Sequence, residues 1–238
     1  MTANSAAALL DNLFWHALAG DQARLGLGTD EVRRYAPGFP PIVAFADPRR
    51  PRLDQLATLV ARNEPVYCDG WAAVAPPGWR VELEARMIKM IWRGPMPDED
   101  PAPQAVRLGP AHVPQATALA ELTRPGPFGP RNLEMGEYFG LFDEPGDQAG
   151  APARLLAMAG ERCAAGPLRE VSAVCTQPDM QGRGLARRLM LKLVARQMAR
   201  GETPVLHVMS HNEGALGLYR RMGFEDHLET VVRVIARD

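Results

Sequence analysis

The sequence has few cysteines, little net charge and no long apolar run. Its three cysteines, Cys68, Cys163 and Cys175, show neither metal-ligand nor redox spacing, so we predict no metal site and no disulfide framework. A formal net charge of −1 gives no general attraction to nucleic acid or to an anionic membrane. No apolar run approaches the ~20 residues that span a bilayer, and the N-terminal segment lacks the basic region of a signal peptide. We therefore expect a soluble, cytoplasmic protein without nucleic-acid or membrane partners.

A proline-rich segment divides the 238 residues into two parts of similar size. Residues 94–104, GPMPDEDPAPQ, hold four prolines and three acids, a composition that is typical of a linker. We therefore predict an N-terminal α/β domain over 1–93, a linker over 94–104 and a second domain over 105–238. The first part has no recognisable chemical motif. Its patterns predict strands at 41–48, 70–76 and 80–92 and an amphipathic helix at 52–63.

The second part alternates between strands and helices. A long helix is predicted to begin at Leu185 and to end at the capping Gly201, because apolar residues recur at helical spacing along it. Asn212 is placed to cap the start of the next helix. Strands are predicted at 153–162, 169–176, 204–210 and 228–236. This mixture predicts an α/β (α+β) fold class.

Two glycines, Gly182 and Gly184, stand between a predicted strand and the long helix, where glycine lowers helix propensity. The first amides of a helix have no intrahelical partner, and the helix dipole favours negative charge there. A strand, a glycine turn and a helix start therefore form an anion site, which a pyrophosphate could approach closely. Arg183, Arg187 and Arg188 add positive charge. The alternative interpretation is a turn that only reverses the chain.

Two common phosphate-binding loops do not fit this stretch. A Walker A loop ends in Gly-Lys-Ser/Thr, which the sequence lacks. A Rossmann fingerprint needs a third glycine or alanine where Arg187 stands, and an acid at the end of the next strand, whereas Glu202 precedes that strand. A third pattern, Gln/Arg-x-x-Gly-x-Gly/Ala, is matched in full from Gln181 to Ala186.

With this loop, the segments EVSAVCTQPDMQGRGLARRL and NEGALGLYRRMGF resemble the GNAT superfamily of acetyl-CoA-dependent acyltransferases, over residues 104–238. The second segment resembles the Asn-x-x-Ala…Leu-Tyr-x-x-x-Gly-Phe signature that closes the family's fold. The region is most similar to the glycine N-acyltransferase-like branch. The resemblance implies a GNAT fold with a mixed, splayed central sheet, preceded by a smaller α/β half that we hypothesise to be a degenerate copy of the same fold.

The resemblance also implies where the cosubstrate, acetyl-CoA, binds. The parallel strands 169–176 and 204–210 are expected to splay, so that the pantetheine arm pairs with backbone of the first strand and the pyrophosphate lies over the amides of residues 181–187. Asn212 is expected near the pantetheine or adenosine as well as at the helix cap. The predicted cofactor-binding residues are Val174, Cys175, Thr176, Gln181, Gly182, Arg183, Gly184, Leu185, Ala186, Arg187 and Asn212.

Catalytic roles follow from the same resemblance. Glu170 opens the cofactor strand, where the family often places a base that acts through water; the alternative is a surface acid at a strand start. Tyr219 lies where the family places the acid that protonates the leaving thiolate; the alternative is a tyrosine packed on the core. A backbone amide near Val174 is the expected oxyanion donor. His207 is interpreted as a core histidine, although a nucleophilic pair with Cys175 is left open.

The acceptor side is the least defined part of the sequence. The family builds it from the first helices and their loop, here TRPGPFGPRNLEMGEYF, where Phe128, Tyr138 and Phe139 could line a pocket and Arg124 or Arg131 could hold a carboxylate. We predict an N-acetyltransferase that moves an acetyl group from acetyl-CoA to a primary amine of a small molecule or amino acid, by direct transfer in a ternary complex. The alternative is a non-catalytic CoA-binding or sensing module, and a homodimer is a possible assembly.

Overall fold

The structure of the protein is a computed structural model that describes residues 3–143 and 153–238. The helices in these two ranges are α1 (Ala3–Asp11), α2 (Leu13–Ala19), α3 (Leu53–Leu56), α4 (Val113–Thr123), α5 (Leu185–Ala199) and α6 (Glu213–Met222). The strands are β1 (Gly26–Gly28), β2 (Val32–Tyr35), β3 (Val43–Phe45), β4 (Val66–Asp69), β5 (Trp79–Trp92), β6 (Val106–Arg107), β7 (Tyr138–Phe142), β8 (Leu155–Ala165), β9 (Leu168–Thr176), β10 (Thr203–Met209) and β11 (Phe224–Arg237). The longest described helix, α5, has 15 residues, and none in these ranges is long and apolar enough to cross a membrane.

Eight of the strands form one large mixed sheet in the order β4-β11-β5-β10-β9-β8-β7-β6. Neighbouring strands are antiparallel except β9 and β10, which run parallel. A parallel pair needs a long crossover connection, and α5 supplies it. The predicted α/β class with a mixed central sheet is therefore confirmed.

A strand from the first half of the chain lies inside this sheet. β5 pairs antiparallel with β10 on one side and with β11 on the other. The predicted strand at 80–92 is thus confirmed, but its partners come from the second half. The division into domains over 1–93 and 105–238 stays a prediction, and the pairing of β5 shows that the hydrogen-bonded sheet crosses the predicted linker.

The rest of the first half covers one face of the large sheet. It contains a three-stranded antiparallel sheet, in the order β1-β2-β3, and helices α1 and α2. In α2, Leu13 and Phe14 are buried in one apolar cluster with Cys163, Leu168 and Val205 of the large sheet. Whether this half is a degenerate copy of the second half stays a prediction.

The opposite face of the sheet is covered by α5 and α6. Leu189 and Leu193 of α5 are buried with Val171 of β9 and Leu206 of β10. Leu206 directly follows Val205, which faces α2, and successive side chains of a strand point to opposite faces. The predicted apolar face of the long helix therefore packs against the sheet.

Two predicted elements of the first half differ from the structure. The helix predicted at 52–63 ends early, because the carbonyls of Ala57 and Leu59 accept hydrogen bonds from the side chains of Arg237 (2.5 Å) and Arg34 (2.9 Å). Residues 70–76 form no strand, since the chain turns at Gly70, whose φ is 79°. For the helix, contacts from distant segments outweigh the local pattern.

Candidate active site at the diverging strands

The parallel strands β9 and β10 separate soon after they meet. They pair only at Thr203↔Leu168, Pro204↔Arg169 and Val205↔Glu170. Beyond Glu170, the edge of β9 that faces β10 has no strand partner in the described sheet. The two strands therefore diverge as the resemblance implied. We call the gap between them the splay, and its closed end is the last pair, Val205↔Glu170.

A bulge in β9 accompanies the divergence. Ser172 pairs with Gly160 of β8 and Cys175 pairs with Met158, so β9 has one more residue than β8 between these pairs. Ala173, inside the bulge, has a φ of 50°, in the left-handed region that alanine rarely adopts. An extra residue bends a strand and frees backbone groups from the ladder. The bulge thus frees backbone groups near residue 174 from the pairing of β9 with β8. The oxyanion donor was predicted at this position.

The three residues predicted to pair with pantetheine lie on this free edge of β9. The Cys175 side chain packs against α4, and burial raises the pKa of its thiol to about 12, so the thiolate is scarce at neutral pH. Its sulfur contacts the carbonyl of Ala173, whereas His207 bonds to Glu170. The nucleophilic pair of Cys175 and His207 is therefore not formed in the structure. Main-chain roles for Val174, Cys175 and Thr176 stay predictions.

The glycine loop, residues 181–184, leads from β9 into α5. Gly182 and Gly184 have φ angles of 75° and 73°, and Gly184 is the N-cap of α5. A Cβ built on either glycine would meet no atom within 4 Å, so open space lies in front of the loop. The first amides of α5 have no intrahelical acceptor. The loop therefore offers free donors and room for a pyrophosphate, as predicted for residues 181–187, and the ligand contacts themselves stay predictions.

Tyr219 lies on α6 and packs, half-buried, against the apolar cluster between α5, α6 and the sheet. Its ring meets the edge of Phe224 at a centroid distance of 6.3 Å, and burial raises the pKa of its phenol to about 12. The side-chain oxygen of Asn212 accepts a hydrogen bond from the amide of Ala215 at 3.2 Å, so the predicted N-cap is confirmed. The cofactor role of Asn212 and the acid role of Tyr219 stay predictions.

Glu170 is a buried, ion-paired carboxylate and not a surface acid. Arg162 of β8 donates to both of its oxygens, at 2.9 and 2.5 Å, and His207 Nδ1 lies 2.6 Å from Oε1. Burial alone would raise the pKa of Glu170, but the charge of Arg162 and the hydrogen bonds from His207 and Arg162 outweigh it and lower the pKa to about 2. A carboxylate stabilised in this way is a weak proton acceptor, so its environment opposes the base role that was predicted for it.

We expect the stability of the protein to depend on this ion pair at acidic pH. Because the folded pKa of Glu170, about 2, lies below its ordinary value of 4.5, its contribution is complete above pH 4.5 and is lost as the pH falls toward 2. The shift corresponds to about 3 kcal/mol. Urea unfolding measures the free energy of unfolding of the wild type and of Glu170→Gln. The difference between the two should be smaller at pH 3 than at pH 5.

The matched control for this measurement is Glu134→Gln. Glu134 is an exposed acid that pairs with Arg131 at 2.6 Å. Exposed pairs contribute little to stability, so this variant should stay close to the wild type at every pH. A gap between wild type and Glu170→Gln that is the same at pH 5 and pH 3 would contradict the lowered pKa of Glu170.

A cavity of about 540 Å³ lies between α4 and the first half of the chain. Its lining residues are Pro41, Tyr67, Thr117, Ala120, Glu121, Arg124, Gly126, Pro127 and Phe128. Ala120 also packs in the cluster that holds Ala173 and Cys175, so the helix that lines the cavity also packs against the bulged part of β9. Sequence reasoning missed Pro41 and Tyr67, because no local signal shows that the first half reaches this loop.

The structure separates the predicted acceptor residues into two groups. Phe128 and Arg124 line the cavity. Tyr138 is fully buried and its hydroxyl accepts a hydrogen bond from Asn132, while Phe139 faces the other side of the sheet beneath Lys192 and Arg196. Arg131 is paired with Glu134 and stacks on Phe39. Tyr138, Phe139 and Arg131 therefore do not line this cavity, and their acceptor roles stay predictions.

Comparisons with known proteins agree with this geometry. The family model of FR47-like proteins matches residues 150–234. The crystal structure of a protein assigned to the acetyltransferases of the GNAT family, from Novosphingobium aromaticivorans DSM 12444, is 36% identical in sequence. It aligns over 96% of this chain and 98% of its own length, with a TM-score of 0.83.

More distant relatives share parts of this similarity. The N-alpha-acetyltransferase RimI of Mycobacterium tuberculosis (strain ATCC 25618 / H37Rv) is 43% identical over 56 residues, which are 24% of this chain. The chain spans 34% of the length of this curated relative. A GCN5-related N-acetyltransferase from Kribbella flavida, 16% identical over 94% of both chains, has a TM-score of 0.57 and shares the fold.

Proposed function

The chain belongs to the GNAT family of acetyltransferases, and we propose that it transfers an acetyl group from acetyl-CoA to a primary amine of a small molecule or amino acid. The transfer is direct, in a ternary complex of the protein with both substrates. The proposal agrees with the burial of Cys175, whose pKa of about 12 disfavours an acyl-enzyme on that thiol. Membership of the glycine N-acyltransferase-like branch stays a prediction.

The observation that carries the proposal is the edge of β9 that has no strand partner in the described sheet and that leads, through a turn at Pro178–Met180, into the glycine loop. An extended pantetheine arm can pair with such an edge as an added strand would. The pyrophosphate then lies at the start of α5, where free amides and the helix dipole favour negative charge. Arg183 and Arg187 are exposed beside the loop and add positive charge. When bound, acetyl-CoA supplies an activated thioester as the acyl donor.

Two further groups are assigned to the reaction. The backbone of the bulge near Val174 has no register partner on β8, so an amide there is free to donate to the oxyanion of the tetrahedral intermediate. The phenol of Tyr219 protonates the sulfur as the thiolate leaves. Its raised pKa keeps the phenol protonated at neutral pH, so the proton is available at each turnover.

The cavity beside α4 supports a small acceptor. Its volume of about 540 Å³ lies within the roughly 300–1,000 Å³ typical of small-molecule sites. Tyr67 and Phe128 supply aromatic surface, and Arg124 supplies a guanidinium that fits a carboxylate. An amine that also carries a carboxylate, as an amino acid does, would match these groups. Consumption of the acetyl-CoA thioester, measured over a library of amines and amino acids, tests this function; a CoA-binding module would bind without turnover.

Replacing Gly184 with valine is expected to weaken CoA binding about tenfold or more, which is about 1.4 kcal/mol. The new side chain would occupy the open space in front of the loop, and a β-branched residue is strained at a φ of 73°. Isothermal titration calorimetry with CoA measures the effect, and circular dichroism checks the fold.

Gly201→Val is the matched control, because Gly201 follows the other end of α5 with a φ of 75° and equally open space. It carries the same backbone strain but lies away from the loop, so its CoA affinity should equal that of the wild type. Equal affinity of the wild type and both variants would overturn the placement of the pyrophosphate.

A further inference from the structure

His207 lies at the closed end of the splay, two residues beyond Val205, the last residue of β10 that pairs with β9. Its side chain is 2% exposed. Nδ1 lies 2.6 Å from Oε1 of Glu170. Nε2 is buried and has no hydrogen-bond partner among the described residues. A buried polar atom without a partner is costly, and such atoms in native proteins often belong to functional sites.

The hydrogen bond to Glu170 defines the state of this imidazole. An ionised carboxylate only accepts hydrogen bonds, so Nδ1 must carry the hydrogen and donate it. In the neutral ring, Nε2 then holds a lone pair and is the basic nitrogen. The tautomer that the structure selects is therefore the one in which the unpartnered nitrogen can accept a proton.

Two further residues fix the imidazole in place. Arg162 holds the Glu170 carboxylate through a two-pronged contact, which sets the direction of the carboxylate that His207 meets. Phe14 of α2 stacks on the imidazole at a centroid distance of 5.2 Å and an interplanar angle of 19°. The guanidinium of Arg162 also lies over the ring of Phe14, at 5.2 Å. Phe14, from the first half of the chain, thus covers one face of the imidazole.

We propose that Nε2 of His207 accepts the proton that the acceptor amine loses, and that Glu170, Arg162 and Phe14 are positioning residues for this imidazole. The inference rests on the proposed acetyl transfer. It replaces Glu170 as the base, because a carboxylate that is bound by both Arg162 and His207 orients the imidazole and does not itself take the proton.

The proton and electron balance of the step is complete. The amine nitrogen uses its lone pair to bond to the thioester carbonyl carbon, and one N–H proton moves to Nε2 of His207. The C–S bond breaks, its electron pair leaves on the sulfur, and the sulfur takes a proton from the Tyr219 hydroxyl. The resulting imidazolium is stabilised by Glu170 and returns its proton through solvent to the Tyr219 oxygen.

The ion pairs next to His207 on this face of the sheet add no net charge beside the imidazole. Lys89, the register partner of His207 on β5, lies 2.6 Å from Asp69 of β4 and donates to the carbonyl of Asp11. This pair and that of Arg162 with Glu170 are both neutral overall. Burial raises the pKa of Tyr35, Tyr138 and Cys163, which also interact with Glu170, so these three groups stay uncharged.

Nitrogen NMR of the histidine rings tests the tautomer without relying on activity. The chain has five histidines, and the spectrum of His207→Gln identifies the signals of His207. The expected spectrum of the wild type at neutral pH shows a proton on Nδ1 and none on Nε2. In Glu170→Gln this preference should weaken, because the amide can donate as well as accept. A wild-type ring that carries its proton on Nε2 would overturn the inference, whether or not the variants fold.

The kinetic test uses acetyl-CoA and the amine from the library that consumes thioester fastest. His207→Gln should lower kcat/KM about 100-fold, the lower end of what general-base catalysis contributes. We also expect the wild-type rate to fall at acidic pH, because a protonated imidazole accepts no proton, and His207→Gln should show a shallower fall, since only protonation of the acceptor amine then lowers the rate. Glu170→Gln should lower kcat/KM about tenfold, and CoA affinity should stay unchanged in both variants.

His227→Gln is the matched control, since His227 forms another histidine–carboxylate pair, with Asp11 at 2.8 Å, but that pair is exposed. It should keep the activity and the pH profile of the wild type. A His207→Gln variant within threefold of the wild-type rate, with the same pH profile, would overturn the role of His207 but not the proposed acetyl transfer. A wild type that binds CoA but acetylates no amine would overturn the proposed function and the role of His207 with it.

Discussion

Replacement of Arg162 with methionine is expected to lower the free energy of unfolding by about 3–5 kcal/mol, the usual cost of breaking a buried ion pair from one side. Arg162 and Glu170 are 9% and 1% exposed in their side chains, so water cannot replace the lost partner. For a chain of this length each kcal/mol lowers Tm by about 2–4 °C, which gives a fall of roughly 6–20 °C. Urea unfolding and differential scanning calorimetry measure both quantities.

The control for Arg162→Met is Arg154→Met. Arg154 forms a two-pronged contact with Asp179 at 2.9 and 2.7 Å, as Arg162 does with Glu170, but both residues are about half exposed. Pairs of this kind contribute about 0–1 kcal/mol. A double variant, Arg162→Met with Glu170→Leu, should recover part of the loss because no charge is then left unpaired. If Arg162→Met and Arg154→Met lose the same free energy of unfolding, burial does not explain the contribution of the Arg162–Glu170 pair.

Tyr219→Phe is expected to lower kcat about 10–100-fold, at the low end of general-acid catalysis because a thiolate is already a fair leaving group. The substitution keeps the ring that packs against Phe224 and removes only the hydroxyl. That hydroxyl makes no hydrogen bond within the described residues, so stability and CoA affinity should change little. Steady-state kinetics, with calorimetry for CoA binding, measure the effect, and a fall in kcat alone indicates an interaction made in the transition state.

Tyr138→Phe provides the control for loss of a tyrosine hydroxyl. Tyr138 is fully buried, and its hydroxyl accepts a hydrogen bond from Asn132 at 3.3 Å. This variant should lose about 1 kcal/mol of stability and keep its kcat. If Tyr219→Phe instead loses stability and turns over at the wild-type rate, Tyr219 is a core residue and another group protonates the thiolate.

The features that depend on neighbouring residues could be predicted from the sequence. Gly182 and Gly184 do adopt the left-handed angles that favour glycine, Asn212 does cap α6, and α5 begins at Leu185. Each of these follows from preferences of a few consecutive residues, namely backbone freedom, side-chain capping and helical periodicity. The GNAT signature consists of such local features, which is why the family could be identified from short segments.

Which residues come together in the site could be seen only in the tertiary structure. Alternation along β10 shows that Leu206 and His207 face opposite sides, but it does not show which side meets α2. Glu170 could be a surface acid by sequence, and only the packing of Arg162 and His207 against it makes it a buried ion pair. Likewise, nothing near Tyr67 in the chain indicates that it lines a cavity with Phe128.

The sequence by itself therefore determined the glycine loop, the two helices that follow the paired strands, and the family. Only the tertiary structure decided that β5 lies between β10 and β11, that Phe14 of α2 stacks on His207, and that Nε2 of His207 has no partner among the described residues. The physical reason is the range of the interactions. Caps, turns and helical faces are set within a few residues, whereas strand partners and buried charge pairs join residues that are far apart in the chain and are fixed only when the whole core packs.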